Sequence, residues 1–155
     1  MAICTFFGHK DCWELEEAVL RRAIEDLIGQ GVTEFTVGHQ GRFDGLVRDC
    51  LKSLKARHPH IRYRVVLAYL PEKNREYEDF SDTVFPEGIE NVPRKFAVDW
   101  RNRYLVEHAD HCICYVNHPW GGAYKFARMA SNRGLRVINL GTAAIERDEN
   151  RRNSK

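Results

Sequence analysis

Apolar residues along the chain fall into two patterns. Short continuous runs, typical of buried strands, occupy 2–7 (AICTFF), 34–37 (EFTV), 62–70 (RYRVVLAYL), 112–116 (CICYV) and 136–140 (RVINL). Between these runs, apolar residues recur at helical spacing over 15–28, 43–54, 100–108 and 122–132. Asp11 precedes the first of these stretches and is predicted to cap its helix. The chain is therefore predicted to alternate strands with helices.

Strands that alternate with helices usually pair in parallel, and the helices cover both faces of the sheet. We therefore predict an α/β fold: a single Rossmann-like three-layer domain, with a mostly parallel five-stranded sheet and helices on both faces. Residues 71–98 interrupt the alternation with a polar, acidic segment that carries three of the five prolines. Such a long irregular segment is often a lid or a binding loop. The predicted domain spans 1–146, with a lid-like insertion at 71–98 and a polar tail at 147–155.

Composition narrows the classes of partner. The 155 residues include 24 basic and 22 acidic side chains, a balance that argues against nucleic acid as a partner. No apolar run approaches the ~20 residues of a membrane span, and the N-terminus lacks a signal-peptide pattern. Five cysteines, an odd number, fit reduced thiols. We expect a cytoplasmic protein with no membrane partner.

Glycine-containing turns follow three of the predicted strands. Gly8 follows the first strand, Gly38 and Gly41 follow the second, and Gly121 and Gly122 follow the fourth. We expect the first strand to lie between the other two, so that all three turns open onto one crevice, the usual ligand position in open α/β sheets. The helix N-termini after such turns offer N–H donors to phosphate. The alternative is that these glycines only make tight turns.

Two arginines in the segment 99–103 (DWRNR) form the next candidate. The guanidinium group suits bidentate recognition of phosphate. Because Arg101 and Arg103 are two positions apart, they cannot share one helix face, and we expect at most one to reach the crevice. The alternative is that both belong to a solvated basic face.

A histidine–cysteine cluster raises the question of a metal site: His108, His111, Cys112 and Cys114. Zinc sites usually take their ligands from two separated pairs. Here the two cysteines alternate along a predicted buried strand, where cysteine behaves as a small apolar residue, and Cys4 is interpreted in the same way. We expect neither a metal nor a cofactor.

Acidic and aromatic side chains supply the remaining candidates. Carboxylates of the predicted lid could hydrogen-bond ribose or act in acid–base catalysis, the alternative being a solvated loop: Glu72, Glu76, Glu78, Asp79, Asp82, Glu87 and Glu90. One or two aromatic rings near the crevice could stack on a base, although most such rings fill the core: Tyr69, Tyr77, Phe80, Phe85, Trp120 and Tyr124.

Four segments of the chain follow one another in the order CTFFGHKDC, VGHQGRFDGLV, DWRNRYLVEHAD and YVNHPWGGAYKFA. Together they resemble the SLOG superfamily, which joins the DNA-processing protein of bacterial transformation with the Lonely Guy cytokinin-activating enzymes. The chain is most similar to the small stand-alone bacterial and phage branch, with its FxGHRxC pattern. Lys10 stands where that pattern has arginine, and the branch's YLPE, PEGIENVP and WRNR stretches are also present.

This resemblance implies a nucleotide or nucleotide-derived ligand in the crevice. Hydrolases of the superfamily carry Pro-Gly-Gly-x-Gly-Thr-x-x-Glu and an upstream arginine. Arg101 or Arg103 matches that arginine, and Gly121 and Gly122 match the paired glycines. Tyr124, Lys125 and Arg128 replace the third glycine, the threonine and the glutamate. Because the glutamate is replaced, the resemblance favours binding over hydrolysis.

The leading hypothesis is a protein that senses or sequesters a phosphate-bearing signalling nucleotide, with a role in phage-defence signalling as an extension. Phosphates would lie on the helix N-termini at 38–41 and 121–122, with Arg101 or Arg103 closing on them. Gly8 and His9 would form the floor, and Asp44 would bind a ribose hydroxyl. The full predicted ligand-binding set is Gly8, His9, Lys10, Gly38, Gln40, Gly41, Asp44, Arg101, Arg103, Asn117, Gly121, Gly122 and Tyr124.

Two alternatives stay open. One is a nucleotide hydrolase that cleaves an N-glycosidic bond, with a lid glutamate or Asp99 as the acid. The other is a single-stranded nucleic-acid binder whose basic edge is Arg57, His58, His60, Arg62 and Arg64. The exposed helix faces are compatible with a homo-oligomer, such as a dimer.

Overall fold

The computed structural model describes residues 2–69 and 83–145. Its strands are β1 (Ile3–Gly8), β2 (Glu34–Val37), β3 (Arg62–Val66), β4 (Thr83–Val84), β5 (His111–Tyr115) and β6 (Arg136–Asn139). Its helices are α1 (Glu17–Gly29), α2 (Gly41–Arg57), α3 (Arg94–Glu107) and α4 (Gly122–Asn132), with a 3₁₀ turn at Ile89–Asn91. None of these helices is long and apolar enough to cross a bilayer. The predicted α/β class is confirmed.

The six strands form one parallel sheet in the order β4-β3-β2-β1-β5-β6. β1 pairs with β2 on one side and with β5 on the other, as expected. The carboxyl ends of these three strands therefore lie side by side. The sheet has six strands rather than the predicted five because Thr83 and Val84 pair with Val65 and Val66. A two-residue strand is too short to produce a recognisable sequence pattern.

Helices cover both faces of the sheet, as predicted. Cys4 and Phe6 of β1 pack with residues of α1 and α2 in one apolar cluster. Phe7 points to the opposite face and packs with residues of α3 and α4, together with Cys112 and Cys114 of β5. This alternation follows from the two-residue period of a strand. The three cysteines are fully buried, which confirms their predicted role as small apolar residues.

The first helix begins later than the sequence pattern predicts. Asp11 does not cap it, because α1 begins at Glu17. The N–H of Leu15 instead donates to the carbonyl of Cys12 at 3.1 Å, which forms a turn before the helix. Cys12 and Leu15 are both buried, so packing of this turn against the core places Asp11 outside the helix.

Part of the predicted insertion has regular structure. Residues 83–98 contain β4, the 3₁₀ turn and the start of α3, which begins at Arg94 rather than at Trp100. Pro93 precedes α3, in keeping with the preference for proline at helix starts, where a missing N–H costs nothing. β3 also ends at Val66 rather than at Leu70. Residues 70–82 of the insertion and the tail from 146 lie outside the described residues.

Gly8, the last residue of β1, contacts the ring of Phe43 on α2. A Cβ atom at Gly8 would lie 2.2 to 2.6 Å from three atoms of that ring, which is itself buried. We therefore expect Gly8→Ala to destabilise the protein by about 1–3 kcal/mol, since overpacking forces neighbouring groups to shift. Urea denaturation would measure the change.

Gly29 is a matched control for this substitution. It ends α1, and a Cβ atom there meets nothing within 4 Å. Gly29→Ala is expected to stabilise the fold by about 0.4–1 kcal/mol, because alanine restricts the unfolded chain. Equal free energies of unfolding for the two variants would contradict the close contact between Gly8 and Phe43.

Candidate functional site

A cavity of about 330 Å³, called the crevice below, opens at the carboxyl ends of β1, β2 and β5. The predicted site residues that line it are Gly8, His9, Lys10, Gly38, Gln40, Asp44, Arg101 and Gly122. The parallel sheet brings them together, because β1 lies between β2 and β5 and each strand ends at the same edge. All three glycine turns therefore meet at one site.

The remaining predicted residues lie beside the crevice or away from it. Gly41 contacts Lys10, and Asn117 donates its backbone N–H to the ring of His9. Arg103, Gly121 and Tyr124 line a separate, open groove of about 870 Å³ between α3 and α4.

The crevice also contains residues that the sequence pattern does not predict: Phe6, Phe7, Asp11, Val98, Asn102, His118 and Ala123. The apolar run that contains the two phenylalanines indicates a strand, but it does not indicate that their side chains border a site. His118 and Asn102 can be found from the sequence, because His118 precedes the paired glycines and Asn102 lies between the two arginines. Asp11 is predicted to cap the first helix, and Val98 is predicted to lie in the irregular insertion, so neither is predicted to line the crevice.

Arg101 is the one charged side chain among the fully buried residues described, with 2% of its surface exposed. Its Nε donates to Oδ1 of Asn102 at 2.8 Å, and Nη1 donates to the carbonyl of Val66 at 2.9 Å. Nη2 donates to Oε1 of Gln40. All three acceptors are uncharged oxygens. The guanidinium therefore lies in the crevice without a carboxylate bonded to it among the described residues.

Burying a charge without a bonded counter-ion is unfavourable, and here it lowers the pKa of Arg101, while the nearby charge of Asp44 raises it. An arginine nevertheless stays protonated at any physiological pH. Its hydrogen bonds to Asn102, Val66 and Gln40 hold the guanidinium in place. A fixed positive charge with N–H donors to spare is the group expected where an anion binds.

Asp44 lies in the first turn of α2, close to Arg101. Its Oδ2 accepts the backbone N–H of Gln40 at 3.0 Å. A Cβ atom at Gly38 would lie 2.8 Å from Asp44 Oδ2 and 2.8 Å from Cζ and Nη1 of Arg101, so only glycine leaves room for both groups. Burial raises the pKa of Asp44 to about 6, against the opposing effects of Arg101, the Gln40 hydrogen bond and Arg48.

His39, which follows Gly38, is kept neutral beside this pair. Burial, with a further contribution from the positive charges of Arg101 and Arg48, lowers its pKa to about 4. Its Nε2 lies 3.3 Å from Nε2 of Gln40, and its ring edge meets Tyr69. At neutral pH His39 therefore adds no positive charge, and Arg101 and Lys10 are the cations that line the crevice.

Three rings form a stack at the crevice, and two of them, His9 and His118, line it. The rings of His9 and His118 lie 3.8 Å apart with an interplanar angle of 17°, and His118 lies 4.1 Å from Trp120 at 19°. The backbone N–H of Asn117 donates to Nε2 of His9 at 3.0 Å, so this nitrogen carries no proton. Burial and the neighbouring His118 lower the pKa of His9, with Asp11 acting in the opposite direction.

Two helices begin at the crevice, and neither is capped by a side chain. Gln40 precedes α2, and Gly121, with φ of 91°, precedes α4. The first N–H groups of a helix have no acceptor within it, and the helix dipole places partial positive charge at that end. Both N-termini therefore add to the positive potential around Arg101.

Among the described residues, the carboxylates considered for hydrolysis do not line the crevice. Asp99 accepts hydrogen bonds from Arg103 at 2.9 Å and from Lys125 at 2.6 Å. Burial alone would raise the pKa of Asp99, but these two hydrogen bonds outweigh it and lower the pKa. An ionised carboxylate that is paired with two cations is a poor proton donor. Glu87 and Glu90 are exposed, and the predicted acids at 72–82 lie outside the described residues.

Other candidate features are separate from the crevice. Arg62 and Arg64 line a cavity of about 160 Å³ with Tyr104 of α3 and His108, which follows that helix. Across residues 2–69 and 83–145, no three His, Cys, Asp or Glu side chains are grouped as ligands for a metal ion.

Comparison with known proteins gives no family for the chain. No protein-family model matches it, and a search of curated proteins also finds no match. The resemblance to the SLOG superfamily therefore stays a prediction that depends on the four sequence segments.

Proposed function

We propose that this protein binds a phosphate-bearing nucleotide, or a signalling molecule derived from one, in the crevice, as a sensor or a sequestering protein. The single observation that carries the proposal is the buried guanidinium of Arg101, whose three hydrogen bonds go to uncharged oxygens. Asp44 lies close to Arg101, but no carboxylate among residues 2–69 and 83–145 is bonded to it, and a bound phosphate would supply such a bonded counter-ion and accept the remaining N–H donors.

The surroundings of Arg101 support the same ligand class. The N-termini of α2 and α4 and the side chain of Lys10 add positive potential at the same place. A cavity of about 330 Å³ lies at the lower end of the usual range for small-molecule sites, about 300–1,000 Å³, and is large enough for a nucleotide. The resemblance to the SLOG superfamily points to nucleotides among the phosphate-bearing ligands.

The test is thermal unfolding of the full chain with mono-, di-, cyclic and ADP-ribose-type nucleotides, followed by chromatography of the recovered ligand. At about 100 times its dissociation constant, a ligand that binds only the folded state adds about 2.7 kcal/mol to its stability. We expect a clear rise in Tm with at least one nucleotide, and intact ligand after recovery. No stabilisation by any nucleotide in the panel would contradict the proposal.

Asp44 favours a second candidate function, hydrolysis of the N-glycosidic bond. A carboxyl with a pKa of about 6 is half-protonated at about pH 6 and still about one-tenth protonated at pH 7, so it can exchange a proton with a leaving group or a water molecule. In that case the recovered ligand would be free base plus sugar phosphate. Turnover that persists in Asp44→Asn would exclude Asp44 as the acid.

A further inference from the structure

The proposed phosphate site at Arg101 does not use the ring stack of His9, His118 and Trp120. Trp120 is 63% exposed although indole is among the largest apolar side chains. One face of its ring is covered by His118. Trp120 lies in the turn between His118 and Gly122, and both of these residues line the crevice. Trp120 therefore lies at the rim of the proposed phosphate site.

Hydrogen bonds anchor the inner end of the stack. Asn117 donates its N–H to His9, and its Oδ1 accepts the N–H of Thr142 at 3.0 Å and the hydroxyl of Thr142 at 3.2 Å. The backbone N–H of His9 also donates to the carbonyl of Tyr115 at 3.3 Å. A platform that is already ordered loses little conformational entropy when a planar group stacks on it.

We propose that the exposed indole face of Trp120 stacks on the base of the bound nucleotide, so that the site takes base-bearing nucleotides in preference to sugar phosphates. This inference rests on the proposed phosphate site at Arg101. Every nucleobase has a π-face, and stacking on an aromatic side chain contributes substantially to affinity. A ring stack that is anchored at His9 and has one outer face exposed beside an anion site provides both contacts that a nucleotide needs.

Phosphate binding and base stacking can be measured separately with two kinds of ligand. Ribose 5-phosphate offers a phosphate without a base, whereas adenosine 5′-phosphates offer both. Isothermal titration of the wild-type chain should give roughly tenfold or tighter binding for the best of AMP, ADP and ADP-ribose than for ribose 5-phosphate. Trp120→Leu should remove this preference and leave the affinity for ribose 5-phosphate within about twofold. Trp120→Phe, which keeps a ring, should restore part of it.

Trp13 supplies the matched control. It is 73% exposed, and its ring is covered by Arg42 at 4.0 Å rather than by the histidines. Trp13→Leu should leave both affinities and the ligand-induced change in tryptophan fluorescence unaltered, whereas Trp120→Leu should abolish most of that change. Both tryptophans are on the surface, so neither substitution removes a core residue.

The outcomes distinguish the two proposals. If Trp120→Leu leaves the nucleotide affinity unchanged, or if the wild type binds ribose 5-phosphate as tightly as the nucleotides, stacking on Trp120 is wrong and the phosphate site stands. If the wild type binds neither ribose 5-phosphate nor any of the nucleotides, the phosphate site itself is wrong, and the stacking proposal fails with it.

Discussion

Arg101→Ala is expected to weaken nucleotide binding by roughly 100-fold or more. Truncating one partner of a buried, hydrogen-bonded charge pair costs about 2–5 kcal/mol of binding free energy, and every 1.4 kcal/mol is about tenfold in affinity. Arg101 fits this case because it is 2% exposed and held by Asn102, Val66 and Gln40. Isothermal titration with the tightest ligand of the panel would measure the loss.

Arg103→Ala is the natural control, since it removes the same side chain two positions along α3. Arg103 lies in the neighbouring groove and forms an exposed ion pair with Asp99. Exposed ion pairs of this kind contribute little to stability. We therefore expect the nucleotide affinity of Arg103→Ala to differ from that of the wild type by less than about threefold. Equal losses in the two variants would contradict a specific site at Arg101.

A second variant keeps this experiment informative if Arg101→Ala does not fold. Arg101→Ala leaves the carbonyl of Val66 and the amide of Gln40 without their donor, and unsatisfied buried groups cost about 1–3 kcal/mol each. Arg101→Lys keeps the charge but loses the planar fork of donors. A folded Arg101→Lys protein, checked by circular dichroism, is expected to bind more weakly than the wild type and more tightly than Arg101→Ala.

Asp44→Asn is expected to stabilise the ligand-free protein at pH 7.5 by up to about 3 kcal/mol. The pKa of Asp44 is about 6 in the folded state, against 3.8 for an ordinary aspartate. Each pKa unit corresponds to about 1.4 kcal/mol, so ionising this carboxyl in the folded protein carries a penalty of about that size. Asparagine avoids the charge and can still accept the N–H of Gln40 through its amide oxygen.

The sign of the pH dependence follows from the raised pKa. Between pH 4 and pH 6 the folded state binds the Asp44 proton more tightly than the unfolded chain, so stability falls as the pH rises through this range and stays lower above it. Urea denaturation of the wild type and Asp44→Asn should give similar stabilities near pH 4, stabilities that diverge between pH 4 and pH 6, and a constant difference above about pH 7. Asp49→Asn, an exposed change on the same helix, should differ by less than about 0.5 kcal/mol at any of these pH values. A constant difference between wild type and Asp44→Asn across the range would contradict the raised pKa.

Arg101 and Asp44 both reduce the stability that the fold would otherwise have. A buried cation bonded to uncharged oxygens and a partly buried carboxylate with a raised pKa each oppose folding, and both lie in the same crevice. Groups with perturbed pKa values cluster at functional sites because binding or catalysis needs them there. Their coincidence in the crevice is the main reason for placing function at this edge of the sheet.

The choice between Arg101 and Arg103 shows where sequence reasoning stopped. Their spacing established that the two side chains leave α3 in different directions. It did not establish which direction faces the crevice, because that depends on the rotation of α3 against the sheet. The structure places Ala97, Arg101 and Leu105 on the buried face, a four-residue period that includes Arg101 and excludes Arg103. The stack of His9, His118 and Trp120 depends in the same way on β1 pairing with β5, which brings together residues more than a hundred positions apart.

Local sequence patterns by themselves determined the α/β class, the parallel pairing of β1, β2 and β5, the burial of Cys4, Cys112 and Cys114, and the glycine turns at one sheet edge. Those features follow from periodicity and turn chemistry, which act over a few residues. Only the tertiary structure decided the short strand β4, the late start of α1, the burial of Arg101 and the raised pKa of Asp44. Each of these depends on contacts between segments that are distant in the chain, and the free energy of such contacts is set by burial and packing rather than by any local pattern.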